Sequence, residues 1–404
     1  MVLVDPIALQ IIETLKKAGH TALLAGGCVR DFLLNRVAPD ADIATSAHPE
    51  EIFQIFPRCL EVGAVFGVVH VVIDKKNYEV ATFRKEGTYS DGRHPDQIES
   101  GTPEEDASRR DFTINGMFFD LETNAILDFV EGKKDIEKRL IRAIGKPIER
   151  FQEDRLRMLR AVRFSATLQF DIETETERAI IKESKHLFPS VSPERALDEL
   201  NKMGKSEHFA EAIAKLAAYG LLEQIFPLVS GDGLLQGLKA LEKVDVTAPI
   251  VLKLALLFLD RSHEERLKSI QALHIRKIDI RLLEIFSDLK KLLEEKEKAS
   301  LAKAALIMAD ELSAVCLRAL QGCFEEGAFW YQKMQDQLAF HIEKIKQKKP
   351  LIASQDLKKE GIAPGKIMGL LLKEAQTLSV EKDIKDKAIL LSELKALPFW
   401  PTDK

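Results

Sequence analysis

The sequence predicts an α+β fold in which a strand-bearing N-terminal part with a small mixed sheet precedes a long all-helical remainder. Two observations predict it. β-Branched and aromatic runs are confined to the region before Gly145-Lys146-Pro147, where GAVFGVVHVVI and YEVATF, split by the Asp74-Lys75-Lys76-Asn77 turn, read as a hairpin. Beyond that point Leu, Ala, Glu and Lys recur at helical spacing with few strand candidates.

The elements follow in order. The opening MVLVDPIALQIIETLKKAGH reads as an amphipathic helix. Leu23, Leu24 and Ala25 read as a short buried strand, Gly26-Gly27 as a tight turn, and Cys28 to Asn35 as the first turns of a helix. Past the Pro39 break, Asp40 to Thr45 reads as a second strand. Glu86 to Asp106 is polar, carries three glycines and two prolines and has little periodicity, as expected of a long loop that is either functional or disordered. Residues 153 to 164, EDRLRMLRAVRF, read as one amphipathic helix with Leu156, Leu159 and Val162 on its apolar face.

The chain has 404 residues, enough for several domains and a sizeable core. No apolar run is long enough to span a membrane, and the four scattered cysteines form no Cys-x-x-Cys pair, so a reducing cytoplasm is the expected location. A net charge of −5 argues against wholesale coating of nucleic acid but leaves room for a local basic groove. The basic run Lys344-Ile345-Lys346-Gln347-Lys348-Lys349 is one such candidate.

Three stretches carry chemistry. In LLAGGCVRDFLLNRVAPDADIAT a strand-glycine-helix junction suited to phosphate precedes Asp40 and Asp42. At i and i+2 of a strand, two carboxylates share a face and suit a hard cation such as Mg²⁺. Glu79, a charge inside an apolar hairpin, is the candidate third carboxylate, with an edge-strand charge as the competing explanation. In EDASRRDFTIN, Arg110 offers a planar fork for phosphate and Asp111 an acceptor for ribose hydroxyls. On the helix, Asp154 and Arg157 three apart would form a reader of base edges, able to accept C and A through their exocyclic amino groups. Arg157, Arg160 and Arg163 extend this as a basic stripe with more cations than one salt bridge needs, which favours a polyanion. A sugar-nucleotide transferase would share Asp-x-Asp, and an RNA-binding protein without activity would share the helical remainder.

GGCVRDFLLNRVAPDADIAT, RRDFTINGM and EDRLRMLRAVRFSATLQF resemble, in this order, motifs A, B and D of the class II tRNA nucleotidyltransferases, a family that includes bacterial poly(A) polymerases. DFVEGKKDIEKRLIRAIG and the PERA…EL run at 193–200 resemble motifs C and E, so the likeness covers residues 20 to 200; SQDLKKEGIAPGKIMGLL resembles the tail of CCA-adding members. The resemblance implies a polymerase-β-like nucleotidyltransferase head at 1–148, then all-α neck (149–202), body (203–310) and tail (311–404) in a seahorse shape. It implies an enzyme that adds CCA to the tRNA 3′ end from CTP and ATP, without a nucleic-acid template. Asp40 and Asp42 would bind Mg²⁺, with Glu79 catalytic beside them; Gly26, Gly27, Arg30, Arg110, Asp111, Asn115, Asp154, Arg157, Arg160 and Arg163 would bind the nucleotide. The remaining parts would hold the acceptor and T arms of tRNA. Gly116, expected on a helix, stands where many members have Ala, and residues 62–67 lack the paired basic residues of poly(A) polymerases. The full-length loop argues against CC-only addition, whereas A-only addition and polyadenylation stay open as alternatives.

Overall fold

Asp5 opens the first helix, its Oδ1 accepting the Ile7 N–H at 3.0 Å, with Pro6 at the first helical position. The computed structural model describes residues 5–38, 40–61, 67–86, 98–229 and 231–401. The chain divides into two units, Met1–Pro227 and Leu228–Lys404.

In the first unit the elements run α1 Pro6–Lys17, β1 Ala22–Ala25, α2 Gly27–Leu33, β2 Asp42–Thr45, α3 Pro49–Ile55, β3 Cys59–Leu60, β4 Val68–Ile73, β5 Lys76–Thr82, β6 Arg84–Glu86, β7 Ile98–Ser100 and α4 Pro103–Ser108. After a short 3-10 turn, Thr113–Asn115, come β8 Met117–Asp120, β9 Ala125–Asp128, α5 Gly132–Glu137, β10 Leu140–Ile141, α6 Pro147–Glu153, α7 Leu156–Leu168, β11 Asp171–Ile172, α8 Thr174–Glu183, α9 Pro193–Gly204, α10 Phe209–Ala218 and α11 Leu221–Ile225. Ala8, Ile11, Ile12 and Leu15 are buried on one face of α1, the helical spacing read from the sequence.

The main sheet has seven strands in the order β3-β4-β5-β2-β1-β8-β9. Its one parallel pair is β2 with β5; the other neighbours are antiparallel, so the sheet is mixed. β1, all four residues buried, lies inside the sheet, where a continuous apolar run is required. β5 alternates, with Tyr78, Val80 and Thr82 buried and Glu79 exposed. A core of Leu23, Ala25, Ala44, Phe83, Ala107 and Phe118 seats α4 against this sheet, with the Phe83 and Phe118 rings edge to face at 5.8 Å.

Three expectations change. The segment from Glu86 to Asp106 carries regular structure among its described residues: β7 pairs with β6, and α4 is opened by a capping box between Thr102 and Glu105. Its residues 87–97 lie outside the described residues, as do 62–66 at the start of the expected hairpin. Gly116 is not on a helix but joins the 3-10 turn to β8. A Cβ there would meet Val130 Cγ2 at 2.7 Å and Ile144 Cδ1 at 3.0 Å, so in this chain neighbouring side chains occupy the space an alanine would need. The third concerns residues 153–164, which are two helices and not one: α6 ends at Glu153, Asp154 is extended (φ −147°, ψ 106°), and α7 begins at Leu156.

The second unit runs as helices: α12 Gly231–Leu241, α13 Ile250–Ala255, α14 His263–Gln271, α15 Lys277–Glu295, α16 Leu301–Ala309, α17 Ser313–Gln321, α18 Glu325–Gln337, α19 Ala339–Lys346, α20 Ser354–Lys359, α21 Lys366–Glu381 and α22 Lys387–Lys395. In α15, Leu282, Leu283, Phe286, Leu289, Leu292 and Leu293 form the buried stripe. Among the described residues no helix is long and apolar enough to cross a membrane.

Candidate active site

The site grows from the turn after β1. Gly26 sits at φ +72°, a conformation that favours glycine, and a Cβ there would lie 2.9 Å from Arg110 Nη1 and 4.0 Å from Asp42 Oδ2. Gly26 thus lets the Arg110 guanidinium come close to a backbone turn that faces Asp42. α2, which follows, spans only seven residues.

Asp42 opens β2, opposite Ala25 of β1. Burial pushes its carboxyl up to about 6; the charge of Glu79 adds to this, Arg110 opposes it, and Asp40 adds a smaller push. The expectation that Asp40 and Asp42 would lie on one strand is corrected: Asp40 is exposed and precedes β2. Glu79 is likewise not an edge-strand charge, because β5 lies between β4 and β2. The parallel register Ile43 to Val80 brings Glu79 alongside Asp42. Among the described residues no three His, Cys, Asp or Glu side chains are gathered into a group that could hold a metal ion. The donor set around Asp42 is nonetheless all-oxygen and anionic, with Arg110 the cation that offsets its charge. Such a set suits a cation that takes one or two carboxylates and fills its shell with water and substrate phosphates, as Mg²⁺ does, and does not suit a closed protein cage.

Arg110 follows α4 and is held by Asp106, whose side chain is 2% exposed. Asp106 Oδ2 accepts from Arg110 Nε (3.1 Å) and Nη2 (3.0 Å), and Oδ1 accepts from Arg109 Nε (2.8 Å) and Nη2 (2.6 Å). Burial alone would raise the Asp106 carboxyl, but the two guanidinium groups hold it below the ordinary value. The Arg110 guanidinium also lies 4.9 Å from the Phe118 ring centre.

Asp111 meets four donor atoms from three residues. Its Oδ1 accepts from Phe112 N (2.7 Å) and Asn115 Nδ2 (3.2 Å); its Oδ2 accepts from Arg160 Nε at 2.7 Å and pairs with Arg160 Nη2 at 2.6 Å. Burial pushes against ionisation, yet the Arg160 charge and these hydrogen bonds hold the carboxyl at about 2. A carboxylate has about four lone-pair sites, so a ribose hydroxyl could be accepted only if one partner yields. Asn115 Oδ1 in turn accepts from Arg30 Nη1 at 2.8 Å, and Arg30 pairs with Asp31. The predicted residues Arg30, Asn115, Asp111 and Arg160 are therefore brought into one hydrogen-bonded chain.

Asp154 and Arg157 are not paired as expected, because the helix breaks between them. Asp154 Oδ1 caps α7 through the Leu156 N–H (3.0 Å), and Oδ2 accepts from Arg195 Nη2 (2.8 Å). Arg157 Nη1 donates instead to Glu153 Oε2 (2.7 Å) and the Arg150 carbonyl (3.0 Å), and its Nη2 donates to the Arg109 carbonyl (3.3 Å). Arg150 pairs with Glu153 and donates to the carbonyls of Arg109 and Arg110, the latter at 2.9 Å. The break thus ties α6 and α7 to the backbone of the Arg109-Arg110 segment. The excess of cations read from the sequence is also corrected. Arg157, Arg160 and Arg163 each have a carboxylate, in Glu153, Asp111 and Glu199 respectively.

Sequence reasoning did not single out Asp106, Arg150, Glu153, Arg195 or Glu199. The spacing of Asp106 to Arg109 and Arg110, and of Glu153 to Arg157, is the i,i+3 and i,i+4 pairing of a helix and could have flagged those two. Arg195 and Glu199 lie in the PERA…EL run that resembles motif E, but no spacing along one helix shows that they meet α7, which they reach from α9.

In the second unit, Lys346, Lys348 and Lys349 are exposed, and Lys344 is half-buried over the Phe340 ring at 5.6 Å. No ion pair joins these four to an acid among the described residues.

Comparison with known proteins places these features. Residues 22–142 match the poly A polymerase head domain, and residues 169–231 match a probable RNA and SrmB-binding site of polymerase A. A CCA-adding enzyme of Lactobacillus johnsonii is 45% identical over 219 residues, 54% of each chain. Poly(A) polymerase I of Haemophilus influenzae is 39% identical over 236 residues, 55% of this chain and 52% of its own. The chain thus spans about half the length of the curated relatives it matches. The solved structure of a Bacillus stearothermophilus CCA-adding enzyme in complex with CTP is 28% identical, covers 96% of both chains and has a TM-score of 0.79. Through residues 22–142 and 169–231 the chain is thus similar to domains of poly A polymerase, and over about half its length it is similar to CCA-adding enzymes and to a bacterial poly(A) polymerase I.

Proposed function

We propose that this protein is a cytoplasmic tRNA nucleotidyltransferase that adds CCA to the tRNA 3′ end from CTP and ATP, releasing pyrophosphate. The observation that carries this reading is the tie between α7 and the Arg110 segment. Arg157 and Arg150 donate to the carbonyls of Arg109 and Arg110, so a base-reading side chain and a phosphate-gripping one share a rigid support. The CCA-adding relatives, one of them solved with CTP, support the choice of substrates.

In this reading the primer 3′-hydroxyl attacks the α-phosphate and pyrophosphate leaves. Asp40 and Asp42, with Glu79 beside them, would hold Mg²⁺, which supplies neutralisation of charge on the phosphate oxygens and a more acidic hydroxyl. Arg110 grips the triphosphate beside the Gly26-Gly27 turn. Asp111 orients the ribose once one of the four donor atoms around it yields. Asp154, whose two oxygens each accept one hydrogen bond among the described residues, retains capacity to accept an exocyclic amino group of C or A, while Arg157 donates to the ring edge. Positioning supplies most of the rate, as the protein does little covalent chemistry. The lysines of 344–349 are candidates for phosphates of the tRNA acceptor and T arms, since double-helical RNA offers little base-edge access.

The test is nucleotide choice. Arg157→Ala is expected to reduce the preference for CTP and ATP over UTP and GTP by about tenfold or more, the worth of one lost base-edge pair. Triphosphate affinity should change less. Steady-state incorporation with each nucleotide separately measures this, and an intact preference would remove base reading from α7. Two other readings give distinct outcomes: polyadenylation, which the Haemophilus relative supports, and addition of A alone to CC-ended tRNA, which the same base-reading residues would serve. Long A tails on any RNA would favour the first. Extension of CC-ended tRNA by a single A, with no use of CTP, would favour the second.

A further inference from the structure

Phe164 of α7 is 7% exposed and packs edge to face on Phe112 at 5.8 Å. Three guanidinium groups surround its ring: the central carbon of Arg163 lies 4.2 Å from the ring centre, that of Arg30 5.3 Å and that of Arg160 5.4 Å. Arg30 comes from α2, immediately after the glycine turn; the other two come from α7 itself.

Like charges gathered this way oppose folding. The strain is visible in Arg163, which burial and then the Arg160 charge push down to about 10. Asp31, Asp111 and Glu199 neutralise one guanidinium each. They do so unequally. Arg30 spends all three nitrogens, on Asp31 and Asn115. Arg160 directs Nε and Nη2 at Asp111, while Arg163 Nε lies 2.8 Å from Glu199 without hydrogen-bond alignment. An aromatic face holds a guanidinium plane without consuming any of its five N–H donors. A further carboxylate in the same place would consume one or two more of them.

We propose that Phe164 is a positioning residue for the nucleoside triphosphate: its ring holds the guanidinium planes of Arg30, Arg160 and Arg163 in fixed orientation, so that the N–H groups their carboxylate partners leave free bind the triphosphate. The proposal rests on reading this site as a nucleotidyltransferase site. It differs from that reading in placing the organising element in a side chain with no polar atom. The ring does not touch the reacting atoms; it acts through the arginines.

The experiment compares Phe164→Leu, which keeps apolar bulk and removes the ring face, with Phe164→Tyr, which keeps the face. Steady-state kinetics on tRNA with CTP and ATP give KM and kcat separately. The leucine variant is expected to raise KM for both nucleotides about tenfold with kcat within about threefold, given that each cation–ring contact contributes a factor of about two to thirty. The tyrosine variant should restore KM to within about threefold. An unchanged KM in the leucine variant, equal losses in both variants, or a fall confined to kcat would overturn the proposal. If Phe164→Leu does not fold, Arg163→Lys carries the test, since it keeps the charge but not the planar stacking; a wild-type KM there would overturn it equally. Wild-type protein that adds no nucleotide to tRNA would instead refute the nucleotidyltransferase reading, whatever the variants do.

Discussion

Asp42→Asn abolishes nucleotide incorporation, with kcat/KM falling by at least about a thousandfold, while tRNA affinity stays within about threefold. The loss follows from removing a carboxylate whose proposed cation offsets charge on the reacting phosphate, a contribution of several kcal/mol at 1.36 kcal/mol per decade. The affinity is retained because phosphate contacts elsewhere dominate RNA binding. Asparagine has nearly the same shape, so the fold is not the variable. The structure makes a second expectation that separates chemistry from folding. Burial and the charges of Glu79 and Asp40 act against an ionised Asp42, so the metal-free variant should unfold at the same temperature as wild type or higher. Single-turnover incorporation, filter binding and a thermal melt on the same preparation measure all three. Retained turnover with Mg²⁺ would exclude Asp42 as a cation ligand.

Asp106→Ala has the largest expected effect on stability. One carboxylate, almost wholly enclosed, serves both Arg109 and Arg110, and its removal withdraws the counter-charge from two partly enclosed guanidinium groups. Breaking a buried pair from one side costs about 3–5 kcal/mol, and the partial exposure of both arginines places the loss towards the lower end. The urea midpoint measures it, and a shift worth less than about 1 kcal/mol would show that the pair is not structural. Activity should fall as well, because Arg110 owes its place beside Gly26 and Asp42 to this carboxylate. The pH dependence has a defined sign. The Asp106 carboxyl is depressed in the folded protein, so its contribution is complete above the unfolded value of 3.8 and is lost as pH falls through the folded one. The alanine variant should lack that portion of the acid transition.

Much of the site was legible because chain neighbours carry it. Gly26, Asp42, Arg110 and Asp111 lie in short motifs whose residue types match phosphate and cation chemistry; the structure brings Arg110 and Asp42 around the Gly26 turn and links Asp111 to Arg110 through Asn115. The mixed sheet followed by helices was legible for a similar reason, since β-branched runs stop where the helical spacing begins. What escaped was partner choice. Asp154 and Arg157 look paired in any helix drawn through both, and only the extended backbone at Asp154 turns that acid towards Arg195 and leaves Arg157 to Glu153. A two-residue interruption without proline or glycine carries almost no sequence signal. The Arg163–Glu199 pair and the three-arginine ring at Phe164 depend on helices meeting in space, which spacing along one helix does not report.

One site is proposed to add C, C and then A, and to stop. The decisive measurement is sequencing of the 3′ ends of a tRNA that lacks CCA after reaction with CTP and ATP together. Ends are expected to accumulate at CCA and extend no further, with CC ends when ATP is withheld. Runs of A beyond the first, or ends that never acquire C, would contradict it.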